Sequence, residues 1–292
     1  MGFNITNSRY ITDTGLYTID SVNGLQSFWM DISNVQAYIY ENDRCVDSLK
    51  YYNDKFRNQT EYYQIPLNYR SFSLLAEAGK EYKIIVKAKG FPDVSATTKI
   101  PNLVKIDKVD TTKIILEGTF EYWESNTRIK CDVEFTDPTD EKNYYMLYVY
   151  LKSNDFPAQQ ITFECNDPIV EENLDHGSIP IGVAFSDKSI NGRKYKLPIT
   201  LNAKDIGWPL YSLPSPPPPS GYPLTTPYKT TVYFKLYSIT EDYFKYIRTL
   251  RLFLKNYGDP LAEPTEVYSN ITGGYGIFAG AAVSTDSIVY HK

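Results

Sequence analysis

Tyr144-Tyr145-Met146-Leu147-Tyr148-Val149-Tyr150 decides the fold class. The run is aromatic and aliphatic, contains no Gly or Pro, and has the composition of a β-strand. Neighbouring side chains on a strand point to opposite faces, so one of Tyr144 and Tyr145 turns outward. Runs of the same kind lie on both sides of it. Upstream are Val35-Gln36-Ala37-Tyr38-Ile39-Tyr40, Tyr82-Lys83-Ile84-Ile85-Val86-Lys87-Ala88 and Lys113-Ile114-Ile115-Leu116-Glu117-Gly118. Downstream are Lys194-Tyr195-Lys196-Leu197-Pro198-Ile199-Thr200 and Thr231-Val232-Tyr233-Phe234-Lys235-Leu236-Tyr237. Turn signals separate them: Glu41-Asn42-Asp43, Asp137-Pro138, Asn191-Gly192 and Gly258-Asp259-Pro260. The Asn191-Gly192 pair predicts a tight hairpin with positive φ at both central residues. The fold class is therefore all-β and mainly antiparallel.

One stretch breaks the two-residue period. Tyr243, Ile247, Leu250 and Leu254 recur at helical spacing and predict one packed helix over 239–256. Ser238 and Glu241 read as a capping box, and Gly258 and Pro260 end the helix. Ile100-Pro101-Asn102-Leu103 marks a boundary. Residues 1–102 are expected to form an immunoglobulin-like sandwich, incomplete at its N-terminus. Residues 103–292 are expected to form a larger antiparallel β domain holding the helix and a proline-rich loop over 213–223, whose prolines enforce an extended chain.

Composition excludes several functions. The chain has 292 residues with 30 Lys+Arg against 35 Asp+Glu, a net charge of −5. No basic excess exists to hold nucleic acid or an anionic lipid surface. Mean hydropathy is −0.38 and no long apolar run is present, so no membrane-spanning helix is expected. Two histidines leave little room for His-based metal or triad chemistry. His176 and Ser178 have no nucleophile-elbow motif near them, and Gly273-Gly274-Tyr275-Gly276 lies between strand-like runs instead of ahead of a helix. Those glycines suit a turn or a close backbone approach. Asp137, Asp140 and Glu141 lack the glycine and the ligand count of a calcium loop. No enzyme, cofactor or metal is expected. Cys45, Cys131 and Cys165 form no C-x-x-C pair; Cys131 and Cys165 are either bridged or buried as free thiols.

What remains points to recognition. The chain holds 27 tyrosines, and Tyr51-Tyr52, Tyr62-Tyr63 and Tyr144-Tyr145 each present one ring outward if their segments are strands. Trp208, Tyr211 and Tyr222 flank the proline tract and are the candidate ligand or partner contacts. The alternative is a loop packed on its own domain. Tyr82 follows a glycine turn and opens a strand, as in the tyrosine corner of sandwich folds, where the phenol pins the preceding loop.

The C-terminal text is the most specific. Ser238-Ile239-Thr240-Glu241-Asp242-Tyr243-Phe244, Asp259-Pro260-Leu261-Ala262-Glu263-Pro264, Val267-Tyr268-Ser269-Asn270-Ile271 and Gly276-Ile277-Phe278-Ala279-Gly280 follow in this order. Upstream, Ala78-Gly79-Lys80-Glu81-Tyr82, Gly90-Phe91-Pro92 and Phe135-Thr136-Asp137-Pro138 agree. This order resembles a Bacteroidota family of cell-envelope lipoproteins, the domain of unknown function 4249. The resemblance implies a lipid anchor on the outer membrane and association with TonB-dependent transporters. It implies no reaction and no catalytic residue. It also implies a leader and a lipidated cysteine ahead of Met1. The expected function is that of a non-enzymatic accessory subunit, whose partner is an outer-membrane transporter or a companion lipoprotein. The alternative is a stand-alone module that binds a glycan or a peptide at the cell surface.

Overall fold

A computed structural model describes residues 2–3, 6–7, 30–31, 35–51, 69–71, 73–115, 128–153, 158–176, 179–202, 229–256, 261, 263 and 265–291. The protein is mostly antiparallel β, with several sheets and a single α-helix among the described residues. Two compact units share the chain. The first comprises Met1–Ile100 and Lys245–Ala279, the second Pro101–Phe244 and Gly280–Lys292. Residues 245–279, expected from the sequence to belong with the second domain, thus fold with the first.

The first unit contains strands β1 (Gly2–Phe3), β2 (Thr6–Asn7), β3 (Met30–Asp31), β4 (Val35–Glu41), β5 (Arg44–Tyr51), β6 (Tyr69–Arg70), β7 (Glu81–Ala88) and β8 (Val94–Lys99). Six of them form one sheet in the order β1-β6-β5-β4-β7-β8; β2 and β3 pair separately. The two-residue period puts Ala37 and Ile39 of β4, Tyr82 and Ile84 of β7, and Ala96 of β8 on one buried face. β4 turns into β5 through Asn42 and Asp43, with φ of 49° and 61°, while Glu41 pairs with Arg44. Two positive φ values in a two-residue loop match the twist of the flanking strands. Segment 265–279 covers the β8 edge. Ser95 and Thr272 exchange backbone bonds of 3.1 and 2.8 Å, and Phe278 enters the core of the sheet. Gly273 has a φ of 82°, and a Cβ there would lie 2.9 Å from the Asp93 carbonyl oxygen, so this close approach requires glycine.

The second unit contains β9 (Ile106–Ile115), β10 (Arg128–Thr136), β11 (Tyr144–Ser153), β12 (Gln159–Ile161), β13 (Phe163–Glu164), β14 (Val170–His176), β15 (Ile179–Ser186), β16 (Lys194–Asn202), β17 (Lys229–Ile239) and β18 (Ala281–His291). One sheet runs β13-β16-β10-β9; the other runs β14-β15-β11-β17-β18, with β12 also paired to β11. Cys131, Val133 and Phe135 of β10 and Leu197, Ile199 and Leu201 of β16 share one core with Tyr145, Leu147 and Val149 of β11 and Val232, Phe234 and Leu236 of β17. Two sheets facing each other across one apolar layer make this unit a β-sandwich.

Two local expectations are corrected, and one open alternative is decided. The helix, α1 (Glu241–Asn256), is capped by Thr240, whose Oγ1 accepts the Tyr243 N–H at 3.2 Å. Ser238 is instead a buried residue of β17 whose hydroxyl accepts the Val104 N–H at 3.2 Å. Between β15 and β16 the chain makes a short 3-10 turn at Asp187–Ser189. It then closes a turn with Arg193 N–H donating to Ile190 C=O at 2.9 Å. There only Gly192 has positive φ, 68°, so Asn191-Gly192 is not the expected hairpin loop. Cys131 and Cys165 are both buried free thiols, which decides against the bridge. Cys165 Sγ donates to Pro198 C=O at 3.4 Å, and Cys131 Sγ lies 3.9 Å from the Tyr290 hydroxyl.

Candidate functional site

The two outward faces of the sandwich differ in chemistry. On β10 and β16, the outward positions include Arg128, Lys130, Glu134, Lys194 and Lys196. Glu134 is held between Lys194 and Lys196, the latter at 3.1 Å, and these hydrogen bonds keep its carboxyl below the usual range. Such a face is at home in water. On β11, β17 and β18, the outward positions are Tyr144, Met146, Tyr148 and Tyr150, then Tyr233, Lys235 and Tyr237, then Val283, Thr285, Ser287 and Val289. Lys152 of β11 is exposed and shares this parity, so the face holds Lys152 as well as Lys235.

The register brings these groups together. Tyr148 faces Lys235, Tyr150 faces Tyr233, and Met146 faces Tyr237. The Tyr148 ring meets Tyr237 edge-on, with centroids 5.7 Å apart, and lies 6.5 Å from Tyr150. Lys235 Nζ sits 4.4 Å from the Tyr150 ring centroid, a cation–π contact. Gly182 of β15 leaves room for the Tyr148 ring, since a Cβ there would lie 2.7 Å from it. At the other end Tyr144 stacks on Phe244 of α1, centroids 5.0 Å apart, and hydrogen-bonds Glu241. Desolvation lifts the phenols of Tyr148 and Tyr150 and brings Tyr144 and Tyr237 up to about 12. At neutral pH all four are protonated. All four are half-buried, Met146 beside them is buried, and none is an activated nucleophile.

The remaining candidates divide clearly. Trp208, Tyr211 and Tyr222, with the proline tract over 213–223, lie outside the described residues. Of the Tyr144-Tyr145 pair, Tyr145 is fully buried and Tyr144 turns outward. Asp137 is a buried carboxylate that holds two loops. It is 2% exposed; its Oδ1 accepts the Tyr145 hydroxyl and its Oδ2 accepts the Gly192 N–H at 2.9 Å. Burial lifts its carboxyl above the usual value. Asp187 beside it accepts the Asn143 N–H at 2.7 Å, so both carboxylates bind the loops between strands. No group of three or more His, Cys, Asp or Glu side chains gathers as metal ligands among the described residues. Tyr82 is buried, and its phenol oxygen accepts the Glu77 N–H at 3.1 Å. It lines a cavity of about 10 Å³ with Ile39, Leu74 and Phe278, room for about one water and no ligand.

The tyrosine face was visible in the sequence only as spacing. Tyr148 and Tyr150 share a parity, as do Tyr233, Lys235 and Tyr237, but the pairing that joins the two sets is set by the tertiary fold. The model of one family, a domain of unknown function (DUF4249), matches residues 18–287. The chain belongs to the DUF4249 family. No curated protein and no solved structure matches it. No helix of this DUF4249 chain is long and apolar enough to cross a membrane among the described residues.

Proposed function

We propose that this DUF4249 protein is a non-enzymatic binding protein, lipid-anchored at the outer membrane of Bacteroidota, and the accessory subunit of a TonB-dependent nutrient transporter. The observation that carries the reading is the tyrosine-rich outward face of β11, β17 and β18, set against the outward face of β10 and β16 with its alternating acids and bases. Aromatic rings with polar tips supply contact area at low entropic cost, and a face whose charges are Lys235 and, at the end of β11, Lys152 offers ring surface flanked by cations. The family resemblance supplies the compartment and the class of partner.

The test is an affinity pull-down of the full-length lipidated protein from its native envelope, read by mass spectrometry. A stoichiometric barrel transporter or companion lipoprotein is expected in the eluate. The double variant Tyr150→Ser and Lys235→Glu is expected to lose it while keeping its melting temperature. An eluate without either partner overturns the reading. A second reading, a stand-alone glycan- or peptide-binding module, is favoured by the ring faces of Tyr150 and Tyr237. It predicts that soluble oligosaccharides quench tyrosine fluorescence of the isolated protein, and that Tyr150→Ser abolishes the quenching.

A further inference from the structure

Sheet edges carry rows of backbone N–H and C=O groups without strand partners, and proteins blunt them with charge, proline, bulges, short strands or cover. Nearly every described edge here is blunted. β13 and β1 have two residues each. β14 carries Glu171 and Glu172 and two register breaks. β9 carries Asp107, Lys108 and Asp110 and also breaks register twice. The β8 edge is covered at Ser95 by Thr272. β18 is different. It runs for 11 residues in an unbroken ladder with β17, has no proline or lysine, and pairs with no other described strand. Val283 and Val289 are 46% and 40% exposed on its outward side. Its bonds to β9 are made by side chains, Ile106 N–H to Ser284 Oγ at 2.9 Å and Thr111 Oγ1 with the Tyr290 hydroxyl at 3.0 Å, and leave the backbone row unladdered.

We infer that the edge of β18 away from β17, unpaired among the described residues, is a docking site for an extended strand of a partner chain, added antiparallel or parallel beside residues 281–289. Only an extended backbone matches a row of alternating donors and acceptors. The one charge on β18, Asp286, sits at its midpoint, and its carboxylate accepts the Ser287 N–H at 2.8 Å, standing in for a neighbouring strand's carbonyl. Two-fold pairing of β18 with a second copy over its full length sets Asp286 against Asp286, and like charges directly opposite are destabilising. The occupant is therefore a different chain, with β-branched residues on the side of Val283 and Val289 and a basic residue opposite Asp286. The inference deepens the partner-binding reading and rests on it for the existence of a native partner; its test does not need one.

The probe is a labelled synthetic peptide of alternating Val and Thr with a central Lys, compared with the same peptide carrying Glu. Binding to the whole protein is read by fluorescence anisotropy. The Lys peptide is expected to bind about fivefold more tightly than the Glu peptide, as for a strong cross-strand charge pair. Asp286→Lys is expected to reverse that order. Ser287→Pro removes the edge N–H at a position an edge strand tolerates, and is expected to weaken the Lys peptide at least about tenfold. If Ser287→Pro fails to fold, the charge reversal alone decides. Absence of binding, equal affinity for both peptides, or insensitivity to the Asp286 change overturns the inference. So does self-association of the free chain through β18. Tyr150→Ser leaves peptide binding unchanged, so the edge and the tyrosine face fail or stand separately.

Discussion

Asp137 and Asp47 are carboxylates that titrate in opposite senses. Burial lifts Asp137 above 3.8 despite the Tyr145 hydroxyl and the Gly192 N–H. The folded state then holds the proton more tightly than the unfolded chain. Its contribution to stability is complete below the unfolded value and is lost as pH rises through the lifted one. At Asp47 burial also pushes upward, but hydrogen bonds from Ser71, from the Ser48 N–H and from Ser73 outweigh it and hold the carboxyl below 3.8. Its contribution is present above the unfolded value and is lost as pH falls through the folded one. Asp47→Asn is accordingly expected to lower the urea midpoint at neutral pH and to flatten its fall below pH 3.8. Equal acid limbs in the two proteins would refute this. Tyr145→Phe leaves Asp137 Oδ1 without its hydroxyl in a buried site, and is expected to cost about 1–3 kcal/mol in equilibrium unfolding.

Among the elements, α1 and the β4–β5 turn carry the sharpest tests. Thr240→Ala removes the acceptor of the Tyr243 N–H and is expected to cost about 1 kcal/mol, whereas Glu241→Gln leaves the cap in place. Asp43 holds a φ of 61°, where a glycine has no Cβ to strain, so Asp43→Gly is expected to raise the melting temperature by a few degrees, roughly 0.5–1 kcal/mol. Strands and the helix were legible because alternation and helical spacing are local signals. The run 144–150 and the run 231–237 fall wholly within β11 and β17. Caps and turns were less legible. Ser238 and Thr240 are both good capping residues, and the choice fell to Thr240 because the Val104 N–H, 134 residues away, claims the Ser238 hydroxyl. Likewise Asn191-Gly192 has hairpin chemistry, but the preceding 3-10 turn uses the backbone before a two-residue loop can form. The tyrosine face depended on register between strands far apart in the chain, which no local pattern encodes.

For the whole molecule, the thiols give a direct count. Cys45 is exposed, while Cys131 and Cys165 are buried and desolvation raises both of their thiols. A thiol reagent is expected to label Cys45 alone in the native protein and all three cysteines in guanidinium, with reductant leaving the melting temperature unchanged. One labelled thiol after denaturation would restore the bridge. The route of the chain has a further consequence. It passes from the first unit to the second after Ile100, returns within α1 after Phe244, and crosses again after Ala279. The first unit therefore lacks the segment that carries Phe278 into its core until Ala279 is made, and the second lacks β18 until His291 is made. Contacts such as Ile106 to Ser284 close loops of 178 residues. The first unit is completed only after nearly all of the second has been synthesised. A stop codon ahead of Phe278 therefore deprives both units of a core segment or strand at once.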